Sequence, residues 1–300
     1  MRNQRLSYIP MPRPEKYVLT AVPDLMKVER LTEANRAETL AFLSERPVHT
    51  VVMTSFILDN GMQNPLNRGD FHGYRNADGK LGGVALIGHT TLVDARSGEA
   101  LKALAFTARR SQVSIHLVMS SGNAAEEFWT HLTGGQSQPR LTCVEKLFEL
   151  SFPFTVPETN NELRLATEAE LLQVAEAQAE IAFMESGINP MEADRNGFLQ
   201  RVVRRIDQGR VFVVVKDSKV VFKADVVAET HDTAYIEGVY VAPEFRGQGI
   251  GSNCLARLSI DLLNRVQNVC LLSNVDFEDA HKTYIRAGYR PAGQCTTLFA

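Results

Sequence analysis

Six consecutive residues hold most of the chemistry this sequence offers: Arg246-Gly247-Gln248-Gly249-Ile250-Gly251. Before them, residues 235–241 are rich in β-branched and aromatic side chains and read as a strand that Pro243 ends. After them, Cys254, Leu258, Leu262 and Val266 recur every fourth position, with Leu255 beside them, which predicts a helix with one apolar face. A strand, a glycine loop and a helix in that order can bind a pyrophosphate. Glycines allow positive φ and close approach of the backbone, so several N–H groups and the helix N-terminus point at one anion. The spacing Gly247, Gly249, Gly251 does not fit G-x-G-x-x-G, and Gly251-Ser252-Asn253 lacks the lysine of a Walker loop. Within the strand, Glu237 is a carboxylate among apolar residues, which is costly unless it is paired or used. It reads either as a structural partner for an arginine or backbone amide, or as a general base. Glu229 and His231, at the end of the preceding hairpin, are further candidates.

The string Val241-x-Pro243-x-x-Arg246-Gly247-x-Gly249-Ile250-Gly251 resembles the acyl-CoA loop of the GCN5-related N-acetyltransferase (GNAT) superfamily. Such domains close with a strand, a helix bearing A-x-x-x-Y, and G-[FY]. Here these are residues 269–272, Ala280-His281-Lys282-Thr283-Tyr284, and Gly288-Tyr289. One position departs: Phe277 stands where the family often has Asn, and Asn274 is the nearest asparagine. The resemblance implies acetyl-CoA as co-substrate, with no metal. Its contacts would be Val239, Val241, Arg246, Gly247, Gln248, Gly249, Ile250, Gly251 and Asn274. It further implies direct acetyl transfer to a primary amine, small-molecule or peptide, with Tyr284 returning a proton to the thiolate and Glu237 taking one from the amine. The acceptor site would be walled by Glu185-Ser186-Gly187-Ile188-Asn189-Pro190, where Glu185 could attract a cation. A reading from another class stands beside it: a non-catalytic acyl-CoA-binding sensor or interaction protein.

The elements that must position these residues occur twice. Val28-Glu29-Arg30-Leu31-Thr32-Glu33-Ala34 resembles Leu163-Arg164-Leu165-Ala166-Thr167-Glu168-Ala169, each a short strand entering a helix, and Thr167 with Glu170 forms a capping box. A hairpin through Asp78 is echoed through Asp217, 139 positions on. Residues 113–118 with a helix over 124–132 echo residues 269–272 with a helix over 277–287, and the terminal glycines Gly134 and Gly288 are 154 apart. Two divergent copies of one unit are expected, the second with about fifteen extra residues between its hairpin and its penultimate strand. In the first copy, Asp94-Ala95-Arg96-Ser97-Gly98-Glu99 replaces the glycine loop, so one CoA per chain is expected. The predicted fold is α+β, a mostly antiparallel sheet flanked by helices. It comprises an extension (1–26), a degenerate GNAT-like domain without cofactor loop (27–152) and a catalytic GNAT domain (162–300). Phe152 to Asn161, with two prolines and a polar cluster, reads as the boundary.

Composition narrows the partners. A formal net charge of −3 and scattered Lys and Arg argue against nucleic acid or an anionic membrane. No apolar run is long enough to span a bilayer, and the N-terminal segment, with Pro10, Pro12 and Pro14, has no h-region. Cys143, Cys254, Cys270 and Cys295 form no CxxC pair and read as small buried hydrophobes in a reducing, cytoplasmic setting. A homodimer is compatible with this reading.

Overall fold

The computed structural model describes residues 27–152, 154 and 162–300. The extension 1–26 and most of the predicted boundary segment lie outside the described residues. The first half contains β1 (Val28–Arg30), α1 (Arg36–Ser44), α2 (Pro47–Asn60), β2 (Gly69–Arg75), β3 (Leu81–Gly88) and β4 (Thr90–Ala95), then α3 (Gly98–Arg110), β5 (Leu117–Ser121), α4 (Ala124–Thr133) and β6 (Leu141–Leu150). The second half contains β7 (Arg164–Leu165), α5 (Leu171–Ser186), α6 (Pro190–Ala193), α7 (Arg195–Asp207), β8 (Val211–Lys216), β9 (Lys219–Glu229) and β10 (Thr233–Val241). It ends with α8 (Ile250–Leu263), β11 (Asn268–Asn274), α9 (Glu278–Arg286) and β12 (Arg290–Phe299).

The internal echo is real in three dimensions. Thr167 and Glu170 make the expected capping box, and Thr32 with Asn35 makes its counterpart. Asp217 and Ser218 turn the β8–β9 hairpin with φ of 48° and 62°, the handedness a two-residue hairpin requires. One expectation needs correcting. The strand expected over residues 113–118 is β5, which starts only at Leu117, where β4 and β12 first offer it partners in Thr90 and Phe299. The extra residues of the second copy fall mostly where expected: the hairpin turns at Asp78 and Asp217 are 139 positions apart and the first paired residues of the penultimate strands, Leu117 and Asn268, are 151 apart, so twelve of the fifteen lie in that interval.

All twelve strands form one sheet in the order β1-β2-β3-β4-β5-β12-β6-β11-β10-β9-β8-β7. The pairs β4–β5 and β10–β11 are parallel and the rest antiparallel. This is the mostly antiparallel α+β arrangement predicted. The centre of the sheet is an exchange. β12, the last strand of the second half, lies between β5 and β6 of the first, and β6 lies between β12 and β11. Each half therefore supplies a strand that the other half's sheet needs.

The order reads the same from both ends, so equivalent helices lie on the same side. On one face, α8 and α9 cover Phe148, Leu150, Ile236, Val269 and Leu271, while α3 and α4 cover Val93, Val118 and Leu298. On the other, α1 and α2 pack on Phe71, Val84 and Leu86, and α5 and α7 pack on Val211, Val213 and Val220. Helix α2 also crosses to the second half: Val51 packs with Leu147, Tyr235 and Cys270, and Asp59 reaches Arg210 at 2.8 Å. All four cysteines are buried, as expected. Among the described residues, no helix is long and apolar enough to cross a membrane.

Candidate active site

Strands β10 and β11 separate partway along. They pair from Thr233↔Asn268 to Ile236↔Leu271, and no further pair follows. The cause lies on the other edge of β10. Glu237 pairs with Asp225 and Tyr240 with Lys223, so Gly238 and Val239 together occupy the place opposite Ala224 alone. This is a β-bulge, which bends the strand and redirects side chains. Gly238 has φ +61°, and a Cβ there would stand 2.5 Å from both Lys223 Nζ and Gln178 Oε1. Only glycine fits that backbone and that space.

The bulge overturns one expectation. Strict two-residue alternation predicts that Glu237 shares a strand face with Tyr235, Val239 and Val241. The inserted residue reverses the alternation, so Val239 and Val241 pack with Ile236 on the α8 side, while Tyr235 packs toward α2. Glu237 lies on the Tyr235 side, two positions along the regular part of the strand. The split therefore has an apolar wall on one side and the carboxylate on the other.

Beyond Val241 the chain enters the glycine loop. Gly247 and Gly249 have φ of 77° and 78°. Among the described residues, the backbone N–H groups of Gly247, Gln248 and Gly249 have no acceptor. Helix α8 starts at Ile250 with Gly249 as its N-cap and no side-chain cap, so its first N–H groups also lack intrahelical partners. Gly251 is needed for contact rather than for φ: a Cβ would lie 3.1 Å from Val241 Cγ2 and 3.2 Å from Thr283 Cγ2. Arg246 folds back, donating from Nε to Val241 O at 2.9 Å, and Gln248 donates to Glu244 O at 3.1 Å. The loop is thus held by its side chains while its amides, among the described residues, are left without acceptors.

The acid–base candidates are placed as follows. Tyr284 on α9 is buried, edge-on to Phe148 with centroids 5.4 Å apart, and burial pushes its phenol up to about 12. Ser273, buried on the part of β11 that has lost β10, lies next to it, and its hydroxyl opposes the effect of burial on the phenol. Asn274, expected at the cofactor, is engaged in the β11–α9 turn. Its Oδ1 accepts from Asp276 N at 2.9 Å and its Nδ2 approaches Cys143 Sγ at 3.3 Å. Glu229 is tied to Arg265 by contacts of 2.6 and 2.9 Å, and His231 is exposed beside Asp232.

Glu237 itself is exposed. Two neighbouring carboxylates are shifted. Glu185, exposed on the last turn of α5, is pushed up to about 8, and the partly buried Glu145 on β6 up to about 7, in each case first by desolvation and then by Glu237. Glu145 is held by Thr297 Oγ1, which donates to it at 2.9 Å. Sequence reading missed Glu145 because it belongs to the other half. It also missed Gly238, although an isolated glycine inside a strand is the usual mark of a bulge. Below Glu237 lies a buried network: Lys223 Nζ meets Asp225 at 2.9 Å and Gln178, and Arg205 meets Asp225 at 2.5 Å.

The first half has the same framework without the site. By register, Asp94 stands where Glu237 stands, but it is buried between Arg46, at 2.7 Å, and Arg96. β4 pairs with β3 without a bulge, and Ser120 Oγ donates to Val93 O at 2.8 Å, bridging the place where a split would open. Helix α3 is closed by its own cap, Ser97 accepting from Ala100 N, with Glu99 in the first turn. An anion would meet a capped helix and a carboxylate there.

Comparison with known proteins agrees with this geometry. Residues 207–291, from the end of α7 through the loop to the start of β12, match the family model described as an acetyltransferase (GNAT) domain. No curated protein sequence matches the chain. Among solved structures, an X-ray structure of a Drosophila protein superposes with TM-score 0.65 at 11% identity, covering 91% of this chain and 98% of that one. A tandem GNAT protein from the clavulanic acid biosynthesis pathway gives 0.54 at 13% identity, with coverage of 91% and 98%. A GNAT-family acetyltransferase from Colwellia psychrerythraea gives 0.53 at 14%, with coverage of 91% and 100%. These likenesses span both halves and concern the fold. The chain thus carries a GNAT acetyltransferase domain at residues 207–291, set in a tandem GNAT fold.

Proposed function

We propose that this protein transfers an acetyl group from acetyl-CoA to a primary amine by direct attack, with residues 162–300 as the catalytic unit and residues 27–152 as a copy without a cofactor loop. The observation that carries the reading is the coincidence of the β10 bulge, the split from β11, and the amides without acceptors in the glycine loop at the uncapped start of α8. These features fit CoA. The amides and the helix end suit a pyrophosphate, and the split gives a thioester access to unpaired strand edges. Gly247 and Gly249 supply the backbone, and Gly251 lets α8 close on Val241.

In this reading the residues act as follows. Glu237 takes a proton from the incoming ammonium, directly or through a water, so that nitrogen arrives with a free lone pair. The nitrogen forms the new N–C bond, the C–S bond breaks, and the sulfur leaves with the electron pair. Tyr284 gives the sulfur its proton, and the second proton that the acylated nitrogen sheds restores the phenol, so protons balance. A phenol pushed up to about 12 keeps that proton throughout the working range. Backbone N–H groups near Val239 and Val241 are the candidates to stabilise the carbonyl oxygen. The test is CoA thiol release from acetyl-CoA with a panel of amines, together with CoA binding. Binding without thiol release from any amine would favour the sensor reading instead.

A further inference from the structure

The two halves meet over a cavity between the N-terminal turns of α2 and the centre of the sheet. Val52 on α2, Met119 on β5 and Leu147 on β6 line it from the first half, and Tyr235, Cys270 and Leu272 from the second. Its origin is the one-sided course of α2. That helix crosses onto β9 and β10 and is tied there by Asp59 to Arg210, whereas α7, in the corresponding place of the second half, packs on α5 and α6. One helix thus roofs a floor drawn from both halves, and the side chains leave about 50 Å³ unfilled. Packed interiors hold few voids larger than a water molecule. The lining is apolar: among the described residues no Asp, Glu, Lys or Arg borders it. Its small polar groups are already engaged. Ser120 Oγ donates to Val93 O at 2.8 Å, Cys295 Sγ donates to Ser120 O at 3.0 Å, and Ser121 Oγ accepts from Arg46 at 2.9 Å. A buried water makes about three hydrogen bonds, so the void suits an apolar occupant better than water. One water takes roughly 10–15 Å³ on this scale and benzene fills a void of about 150 Å³, so the room is for a short aliphatic chain rather than an aromatic ring.

The cavity reaches the proposed reaction centre at Leu272. Pairing between β10 and β11 ends at Ile236↔Leu271, so Leu272 is the first residue of β11 past the split and stands across it from Glu237. Leu272 is half-buried, while Cys270 and Tyr235, further in, are buried. From Glu237 back to Tyr235, on the same face, is two residues of strand, roughly 7 Å. Val239 and Val241 pack on the α8 face and the cavity lies on the α2 face, so it serves the side from which the amine approaches, opposite the wall proposed for CoA. Resting on the acyl-transfer reading, we propose that the acceptor is an aliphatic monoamine, with its nitrogen at Glu237 and its alkyl tail in this cavity. Val52 and Met119 then touch the substrate, and the first half takes a direct part in substrate choice.

The experiment uses the full chain with CoA bound and measures calorimetric affinity for the linear series from ethylamine to hexylamine. Each methylene that enters the cavity should tighten binding about four-fold, with the gain ending once the void is full, so pentylamine should bind at least about ten-fold tighter than ethylamine. Val52→Phe fills the cavity from α2 and Cys270→Leu fills it from β11, and either should flatten the series, with the melting temperature confirming that each is folded. Leu58→Phe makes a like enlargement at an exposed position of α2 and should keep the series steep. A flat series in wild type, which needs no variant to fold, would overturn the proposal. So would a series that stays steep in a folded filling variant. An acyl chain is the other aliphatic group to test. If affinity for thioesters from acetyl-CoA to hexanoyl-CoA rises with length while the amine series stays flat, the cavity serves the donor and the proposal fails. Thiol release separates this proposal from the reading beneath it. Alkylamines acylated with kcat/KM independent of length would leave acyl transfer standing and remove the tail from the cavity. A steep binding series without thiol release would do the reverse.

Discussion

Gly238 offers a test of the site's architecture that does not require a substrate. Gly238→Ala places a Cβ on a backbone with φ +61° and 2.5 Å from Lys223 Nζ and Gln178 Oε1. The left-handed conformation costs a residue with a side chain about 1–2 kcal/mol. Displacing the Lys223–Gln178 contact leaves buried polar groups short of a partner, at about 1–3 kcal/mol. The variant should therefore lose about 2–5 kcal/mol of stability. Gly79→Ala is the control: it has φ +74° but nothing within 4 Å of the added Cβ, so only the conformational cost of about 1–2 kcal/mol applies. Urea unfolding with unchanged m-values reads the difference. Gln178→Ala removes one of the crowding groups, so its effect should be non-additive with Gly238→Ala, recovering part of the loss. A loss for Gly238→Ala within about 0.5 kcal/mol of that for Gly79→Ala, with simple additivity, would refute the claim that Lys223 and Gln178 are packed against the bulge.

Further outcomes follow from the same geometry. Tyr284→Phe removes only the hydroxyl, so kcat should fall about 10²-fold with the KM for acetyl-CoA little changed, and near-normal kcat would make Tyr284 a packing residue. Glu237→Gln should lose most of its rate near neutrality and recover part of it at high pH, where free amine forms unaided. A profile matching wild type at every pH would exclude Glu237 as the base. Glu145 has a folded-state pKa raised from 4.5 to about 7, so its stability contribution is complete below about 4.5 and is lost as pH rises through about 7. The melting temperature of Glu145→Gln relative to wild type should therefore be higher at pH 8.5 than at pH 5.5, and a difference independent of pH would contradict the burial of this carboxylate.

The glycine loop, the strand before it and the helix after it were legible because each is written locally, in φ-permissive residues, β-branched runs and a four-residue apolar period. The capping box at Thr167 and Glu170 was legible for the same reason. The orientation of β10 was not. Alternation predicts faces only while one residue opposes one, and the single extra residue at Gly238–Val239 turned Val239 and Val241 away from the face of Glu237. The exchange of β6 and β12 was hidden because both are ordinary strands in sequence, and their neighbours lie well over a hundred residues away along the chain. For that reason a reading half by half could not bring Glu145 to a site whose loop lies at residues 246–251. The similarity of the halves predicted Asp94 as part of a degenerate loop. Its arginine partners show more: the counterpart of Glu237 has been tied into a buried ion pair.

The central claim is that one half holds an acyl-CoA site and the other does not. Calorimetric titration of the full chain with CoA tests it most directly. The account predicts one CoA per chain, lost in Gly249→Glu, which puts bulk and negative charge at the uncapped start of α8, with the melting temperature of that variant close to wild type. Two CoA molecules per chain, or undiminished affinity in Gly249→Glu, would contradict it.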